Sequence, residues 1–332
     1  MAPRDLVARV ATDPWIHGWW HRPSVSPTRW AAYADQVAKQ RVRGAQFAEV
    51  DDALVAWRTD PLERAALGTE VGRVEVVVPP SPALPRLDDL VDDDVPPPRL
   101  GDDVVDAMTA VLRRASANAL ADGVSHLVAE VDARALEQVW ALERAAFEFL
   151  DGTLIFGRRV TATDAGSPER AAGDATIREA RADDADAASA IATMAWDRHH
   201  ADPLLSAAGV ERLHRGWVAG ACAGRGVDVA WVAEDAEGML GFTAGVIEPL
   251  TREVLGLPTL TMTLAMTAPR ARRRGVGRAL AMHAIRWAAT EGLAMIEIGT
   301  PLRQIAASRT AESAGFRLLS SRLTFRRASD VR

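Results

Sequence analysis

Apolar positions along this chain fall into two rhythms. Val227–Ala233 and Met239–Ile247 alternate apolar with polar or small residues, which predicts two half-buried strands. Asp235-Ala236-Glu237-Gly238 between them has the composition of a tight turn. Thr176–Ala180, Leu260–Thr267, Ala294–Ile298 and Phe316–Phe325 predict further strands, whereas Asp183–Trp196, Gly275–Ala289 and Gln304–Ser313 carry apolar residues at helical spacing. The first half contains the same kinds of element: a strand over 70–79, a helix over 103–121, then strand, helix and strand from Ser125 to Phe156. Ser26-Pro27 reads as an N-cap followed by proline at the first helical position, opening a helix that runs to about Ala45. Residues 80–102, rich in Pro and Asp, predict a loop. The aromatic run Trp15–His21 is expected to fasten the N-terminal arm to the body.

The two halves repeat each other. Glu143–Phe156 lies over Glu312–Phe325 at a constant offset of 169 residues, with six of fourteen positions identical. The same offset places Gly123 on Gly292, each just before a central strand. The fold class that follows is α/β (α+β): two similar domains, each of strands flanked by helices, with a helical N-terminal extension. The expected boundaries are an extension over 1–50, a first domain over 51–160, a linker over 161–174 and a second domain over 175–332. The linker rests on a stretch of Gly, Pro and small polar residues without apolar period.

Composition narrows the classes of function. The chain has 332 residues, 48% hydrophobic and 25% charged, with net charge −6, so no global basic surface draws it to nucleic acid. Its single cysteine, Cys222, makes neither an intrachain disulfide nor a cysteine metal cluster, and no metal is expected. No apolar run reaches the roughly 18 residues of a membrane span. A cytoplasmic monomer or homodimer, with no membrane or nucleic-acid partner, is the expectation.

One segment carries chemistry. Arg272-Arg273-Arg274-Gly275-Val276-Gly277-Arg278 follows a predicted strand and opens a predicted helix. Glycines let the backbone turn and approach a ligand, and a helix N-terminus presents free N–H groups and the positive dipole end to an anion. Four arginines add charge, so a pyrophosphate is the natural guest. The corresponding stretch of the first half, Val95-Pro-Pro-Pro-Arg-Leu-Gly-Asp-Asp103, has prolines without N–H groups and aspartates that repel an anion. The first half is therefore expected to keep the fold without the anion site.

Arg272-x-x-Gly275-x-Gly277, the strand Ala265-Met266-Thr267 before it and Ala314-Gly315-Phe316 after a later helix resemble the GCN5-related N-acetyltransferase (GNAT) superfamily over residues 175–328. Trp57–Pro61, Trp196–Pro203 and Leu213–Trp217 resemble, within it, the nucleotide-sugar amine acetyltransferases of the dTDP-fucosamine type, which also carry a degenerate first half. The resemblance implies acetyl-CoA, or another acyl-CoA, as co-substrate, held by Ala265, Met266, Thr267, Arg272, Arg273, Arg274, Gly275, Val276, Gly277, Arg278 and Gln304. It implies transfer of the acyl group to a primary amine of a small molecule by direct attack in a ternary complex. A backbone N–H of Ala265–Thr267 would serve the oxyanion.

The resemblance places a tyrosine acid where this chain has Ala311, and Tyr33, the only tyrosine, lies far away in sequence. Ser308, on the same helix face, is the substitute candidate. His199 and His200 are candidates for the base, with a surface or capping role as the alternative. Asp197 and Asp202 are candidates for holding a cationic amine, Arg198 for an anionic acceptor, and Glu234 is a further acid. Cys222 has no partner base nearby in sequence to make it a nucleophile. A non-catalytic acyl-CoA-binding module and a protein N-acetyltransferase stay open as alternatives.

Overall fold

The computed structural model describes residues 6–13, 18–80, 100–166, 173–192 and 197–328. Trp15–His17, Val95–Arg99, Trp196 and residues 167–172 of the expected linker lie outside them. The chain forms two compact units, one of residues 1–152 and 320–332 and the other of residues 153–319.

Unit 1 begins with α1 (Leu6–Ala11) and α2 (Pro27–Val42). Ser26 caps α2 by accepting from the Arg29 N–H, with Pro27 in the first turn as the sequence implies. β1 (Gln46–Val50) and β2 (Ala53–Thr59) form a hairpin whose turn residues, Asp51 and Asp52, are both left-handed. That conformation matches the twist of a two-residue hairpin. α3 (Pro61–Leu67) starts at an Asp60 cap and ends at left-handed Gly68. β3 (Val71–Val78), α4 (Asp102–Ala121), β4 (His126–Asp132), α5 (Leu136–Arg144) and β5 (Glu148–Arg159) follow. The core joins Trp57, Met108, Leu112, Leu127, Leu142 and Phe325, all nearly inaccessible. Each such side chain contributes about 1.5–3 kcal/mol by burial. Trp57, which opens the Trp57–Pro61 segment of the sequence resemblance, is a core residue.

Unit 2 contains α6 (Ala162–Ala165), β6 (Thr176–Glu179), α7 (Ala185–Ala192), α8 (Arg198–Ala201), α9 (Ala207–Cys222), β7 (Val229–Asp235), β8 (Gly238–Ile247), β9 (Thr259–Thr267), α10 (Val276–Thr290), β10 (Met295–Pro301) and α11 (Ile305–Ser313). β11 (Arg317–Ala328) closes the described chain. Two cores sandwich the unit's sheet. Leu240, Leu260, Met262 and Ile296 pack with α10 and α11, while Val232, Phe242 and Ala244 pack with α7 and α9. Leu240 and Phe242 of β8, two residues apart, enter opposite cores, as do Met262 and Leu264 of β9, because a bulge in each strand shifts its period-two alternation by one residue.

The repeat is structural to the residue. β4, α5 and β5 begin and end 169 residues before β10, α11 and β11. The closing strands are, however, exchanged. In unit 1, β4 pairs antiparallel with β11, Asp132 opposite Arg322 through His126 opposite Ala328. In unit 2, β10 pairs antiparallel with β5, Met295 opposite Arg159 through Pro301 opposite Thr153. The compact units thus divide at 152/153 and 319/320 and not at the expected linker, whose first residues form α6. The expected 1–50 extension also differs, since β1 belongs to the sheet of unit 1.

Candidate functional site

The site of unit 2 is built on β9. Its first four residues pair in parallel with β10, Thr259–Met262 against Met295–Ile298, and the pairing then stops. β9 runs on to Thr267 and β10 to Pro301, so the strands part and leave Thr263–Thr267 with an open edge on the β10 side. On its other side β9 stays paired with β8, but the register skips Thr263, because Met262 faces Gly245 and Leu264 faces Ala244. A bulge frees backbone groups from the ladder and re-aims them. Bulge and divergence coincide at Met262–Leu264, upstream of the Ala265–Thr267 segment that the sequence singled out.

Beyond Thr267, a turn over Pro269–Ala271 leads through Arg272, Arg273 and Arg274 to Gly275, which caps α10 with φ +84°. Arg273 is also left-handed, at φ +62°. No side chain caps α10, and among the described residues nothing accepts from the backbone N–H groups of Gly275, Val276, Gly277 or Arg278. These are orphan donors at the positive end of a fifteen-residue helix with no acid in its first turn. Arg274 leans on Asp235, which Arg270 grips with two hydrogen bonds of 2.9 Å, and Arg278 donates to the Ser313 carbonyl at 3.0 Å. Arg272 and Arg273 are exposed and have no carboxylate partner among the described residues. Val276 is buried in the core, so it contributes its N–H and not its side chain. Donors and charge together fit a pyrophosphate. Gln304 sits at the N-terminus of α11.

Unit 1 has the same strand divergence, and side chains reach into part of it. β3 and β4 pair only from Val71–His126 to Val74–Ala129, and Ala129 stands 169 residues before Ile298, where β9 and β10 part. Here Gln138 donates its amide to the Val77 carbonyl at 3.0 Å, and Arg41 donates to the Glu75 carbonyl at 3.1 Å. At the position equivalent to Gln138, unit 2 carries Ala307, whose methyl cannot reach a strand edge. α4 opens with Asp102 and Asp103, which already serve the helix dipole and repel an anion.

The acceptor-side candidates come together around Asp197. This residue caps α8, accepting the His199 and His200 N–H groups. Its Oδ2 lies 2.9 Å from His199 Nδ1 and 3.0 Å from His214 Nε2, and its Oδ1 lies 3.0 Å from His200 Nδ1. Burial pushes the Asp197 carboxyl up, but the hydrogen bonds and charges of His199 and His214 outweigh it and hold the group well below the usual carboxylate range. His199 is 4% exposed and His214 6%. Asp202 is buried and accepts from the Leu204 N–H at 3.0 Å, as a turn residue does. Arg198 is the first residue of α8. Glu234 is committed to Arg178, which it shares with Asp184. Ser308 keeps its hydroxyl sealed from solvent without a hydrogen-bond partner, and Ala311 is buried. Burial, and then the Asp184 charge, push the Cys222 thiol up to about 11, so it stays protonated at neutral pH. Tyr33 is buried in unit 1.

A carboxylate pair escaped the sequence reading. Glu248, just past the end of β8, is half-buried, donates its backbone N–H to the Thr259 carbonyl of β9 at 2.9 Å and lies near the Thr261 hydroxyl. Burial first, and then the charge of Glu297, raise its pKa. Thr261 stands two residues, about 7 Å along the strand, before the bulge at Thr263.

The sequence model of the acetyltransferase (GNAT) family matches residues 192–316, which span α8 to α11 and the whole loop. Unit 2 carries a GNAT domain. Solved structures extend the likeness in fold across both units. A GCN5-related N-acetyltransferase from Kribbella flavida covers 89% of this chain and 93% of its own at 13% identity, with a TM-score of 0.51. A tandem GNAT protein from the clavulanic acid biosynthesis pathway, solved without AcCoA, covers 83% and 78% at 11% identity, with a TM-score of 0.54. A conserved protein of unknown function from Staphylococcus epidermidis covers 85% and 92% at 10% identity, with a TM-score of 0.52. No curated protein matches the chain. The fold is a tandem of GNAT-like units, and in unit 2 an open strand edge leads to a helix without a side-chain cap. No helix among the described residues is long and apolar enough to cross a membrane.

Proposed function

We propose that the GNAT domain is an acyl-CoA-dependent N-acyltransferase, most simply an acetyltransferase, acting on a primary amine of a small molecule. The observation that carries this reading is the alignment of three features on one strand: the divergence and bulge at Met262–Leu264, the open edge to Thr267 and the orphan donors at Gly275–Arg278. The edge suits an extended arm with amide groups, and the donors with Arg272 and Arg273 suit its pyrophosphate. The acyl thioester supplies an activated carbonyl carbon, and freed backbone N–H groups at Thr263–Leu264 would donate to its oxygen.

A neutral amine must make the new N–C bond as the C–S bond breaks, and the nitrogen then sheds a proton. We assign that proton to Glu248. Its raised pKa makes it a better base than an ordinary carboxylate, and its backbone N–H, donated to the Thr259 carbonyl, ties it to the strand that carries the bulge. His199 and His200 turn their Nδ1 atoms to Asp197 and are not assigned the role. No side chain of α11 is assigned as acid, so the thiolate takes its proton from water. Buried Ala311 favours one second reading, a non-catalytic acyl-CoA-binding module.

Thiol release from acetyl-CoA, measured against amino sugars, amine antibiotics and short peptides, separates the two. Amine-dependent release is expected, strongest with a small molecule, and Glu248→Gln lowers kcat by about 10²–10⁴-fold at unchanged affinity for CoA. The acid limb of kcat/KM should fall above the ordinary glutamate value of about 4.3. Release that ignores the amine, or CoA binding without turnover on any amine, overturns the enzyme reading.

A further inference from the structure

The acyl-transfer reading leaves the Asp197 cluster without a task. Three imidazole nitrogens converge on one carboxylate from two helices: His199 and His200 from α8 and His214 from the second turn of α9. Within the cluster, Asp197, His199 and His214 each turn one ligand-type atom inward, and these three atoms lie within 4.8 Å of one another. From this geometry we infer a divalent transition-metal site of the zinc class, with His199 Nδ1, His214 Nε2 and Asp197 Oδ2 as protein ligands and water in the fourth position.

The dimensions fit. Zn–N and Zn–O bonds of about 2.0–2.1 Å in a tetrahedron put neighbouring ligand atoms about 3.3 Å apart. The two N···O separations are 2.9 and 3.0 Å, so each opens by only about 0.4 Å to admit the ion. The surroundings are those of a supported site. Two backbone N–H groups and His200 hold the other carboxylate oxygen, which leaves Oδ2 to the two imidazoles. Trp217 stacks on His214 with ring centroids 5.3 Å apart and meets His199 edge-on at 5.4 Å, fixing both rings and walling off one side from water. Two imidazoles with one carboxylate select zinc, cobalt or nickel over calcium and magnesium, which prefer all-oxygen shells. Held there, the ion clamps α8 to α9, and it takes no part in the acyl-transfer step assigned above.

The test starts from full-length protein stripped with a chelator and titrated with Co²⁺, then Zn²⁺. We expect one equivalent of Co²⁺ with the visible absorption of a four-coordinate ion, displacement by one equivalent of Zn²⁺, and a melting temperature that rises with Zn²⁺. Asp197→Asn and His214→Gln should each weaken Zn²⁺ by about 100-fold or more, because each removes a ligand where loss of a mere outer partner costs about 10–100-fold. CoA affinity reports whether each variant is folded, since its loop lies on β9 and α10. If a variant fails to fold, paramagnetically shifted imidazole resonances of two histidines in the Co²⁺ form of the unaltered protein supply the same answer. Absence of saturable metal binding, affinity undiminished in both variants, or a Co²⁺ form with no histidine ligand overturns the site.

Discussion

Two glycines two residues apart in the proposed CoA loop should respond to the same substitution in opposite ways. Gly275 holds φ +84°, and a methyl group there would meet no atom within 4 Å. The whole cost of Gly275→Ala is therefore backbone strain, about 1–2 kcal/mol for a left-handed residue with a side chain. Either the native loop bears that cost and the protein loses as much stability, or the loop relaxes and CoA must restore it on binding. In the second case affinity falls by about 5- to 30-fold, at tenfold per 1.4 kcal/mol. Gly277 lies inside the first turn of α10 with no positive φ, and its methyl group would sit 3.4 Å from Thr267 Oγ1 and Thr310 Cγ2, close contact without overlap. Gly277→Ala should gain up to about 0.5–1 kcal/mol, as alanine does over glycine in a helix, and keep CoA affinity within about threefold. Thermal melts and calorimetric titration with CoA on both variants read the two quantities separately. The loop assignment is refuted if Gly275→Ala matches the parent in both melting and affinity, or if Gly277→Ala harms CoA binding more than Gly275→Ala does.

Arg273 is left-handed without being glycine, so Arg273→Gly should raise the melting temperature by relieving about 1–2 kcal/mol of strain while weakening CoA and flattening the salt dependence of its binding. Ser308→Ala removes a buried hydroxyl that has no partner and should stabilise the protein by about 1 kcal/mol, read as a higher melting temperature; a fall in kcat at constant CoA affinity would instead make that hydroxyl the missing acid. The Arg178 hydrogen bonds hold the Asp184 carboxyl below its ordinary value, against burial. Its stabilisation is then complete above the ordinary carboxylate value of about 4 and is lost as pH falls through the lower native value. Asp184→Asn should therefore be less stable than the parent at neutral pH, with a gap in denaturant midpoint that narrows in acid.

The strand-to-helix geometry of the candidate site was legible because its signals are local. The glycines of the proposed CoA loop, and the apolar residues of β8 and β9, lie within single windows of sequence. The 169-residue repeat fixed the equivalence of α5 with α11 before any coordinates. What stayed hidden depends on pairing between distant segments. The β1–β2 hairpin turns on Asp51-Asp52, which lacks the glycine that marks such a turn, so the expected extension absorbed β1. The bulge at Thr263 exists only relative to β8. Glu248 reads as one acid among many until burial and Glu297 raise its pKa. His199, His200 and His214 look scattered in the chain, and only the crossing of α8 and α9 brings them to one carboxylate.

The exchange of β5 and β11 sets a condition on how the protein is made. Unit 1 takes its strand beside β4 from the last segment of the described chain, so synthesis of the first half does not yield a finished sheet. While α6 to α11 are being translated, the edge of β4 waits with unpaired backbone groups, a template for pairing with another nascent chain. Loop closure between segments so far apart is slow, and the waiting interval exposes the chain to aggregation. A gene fragment encoding either half alone would therefore give insoluble product.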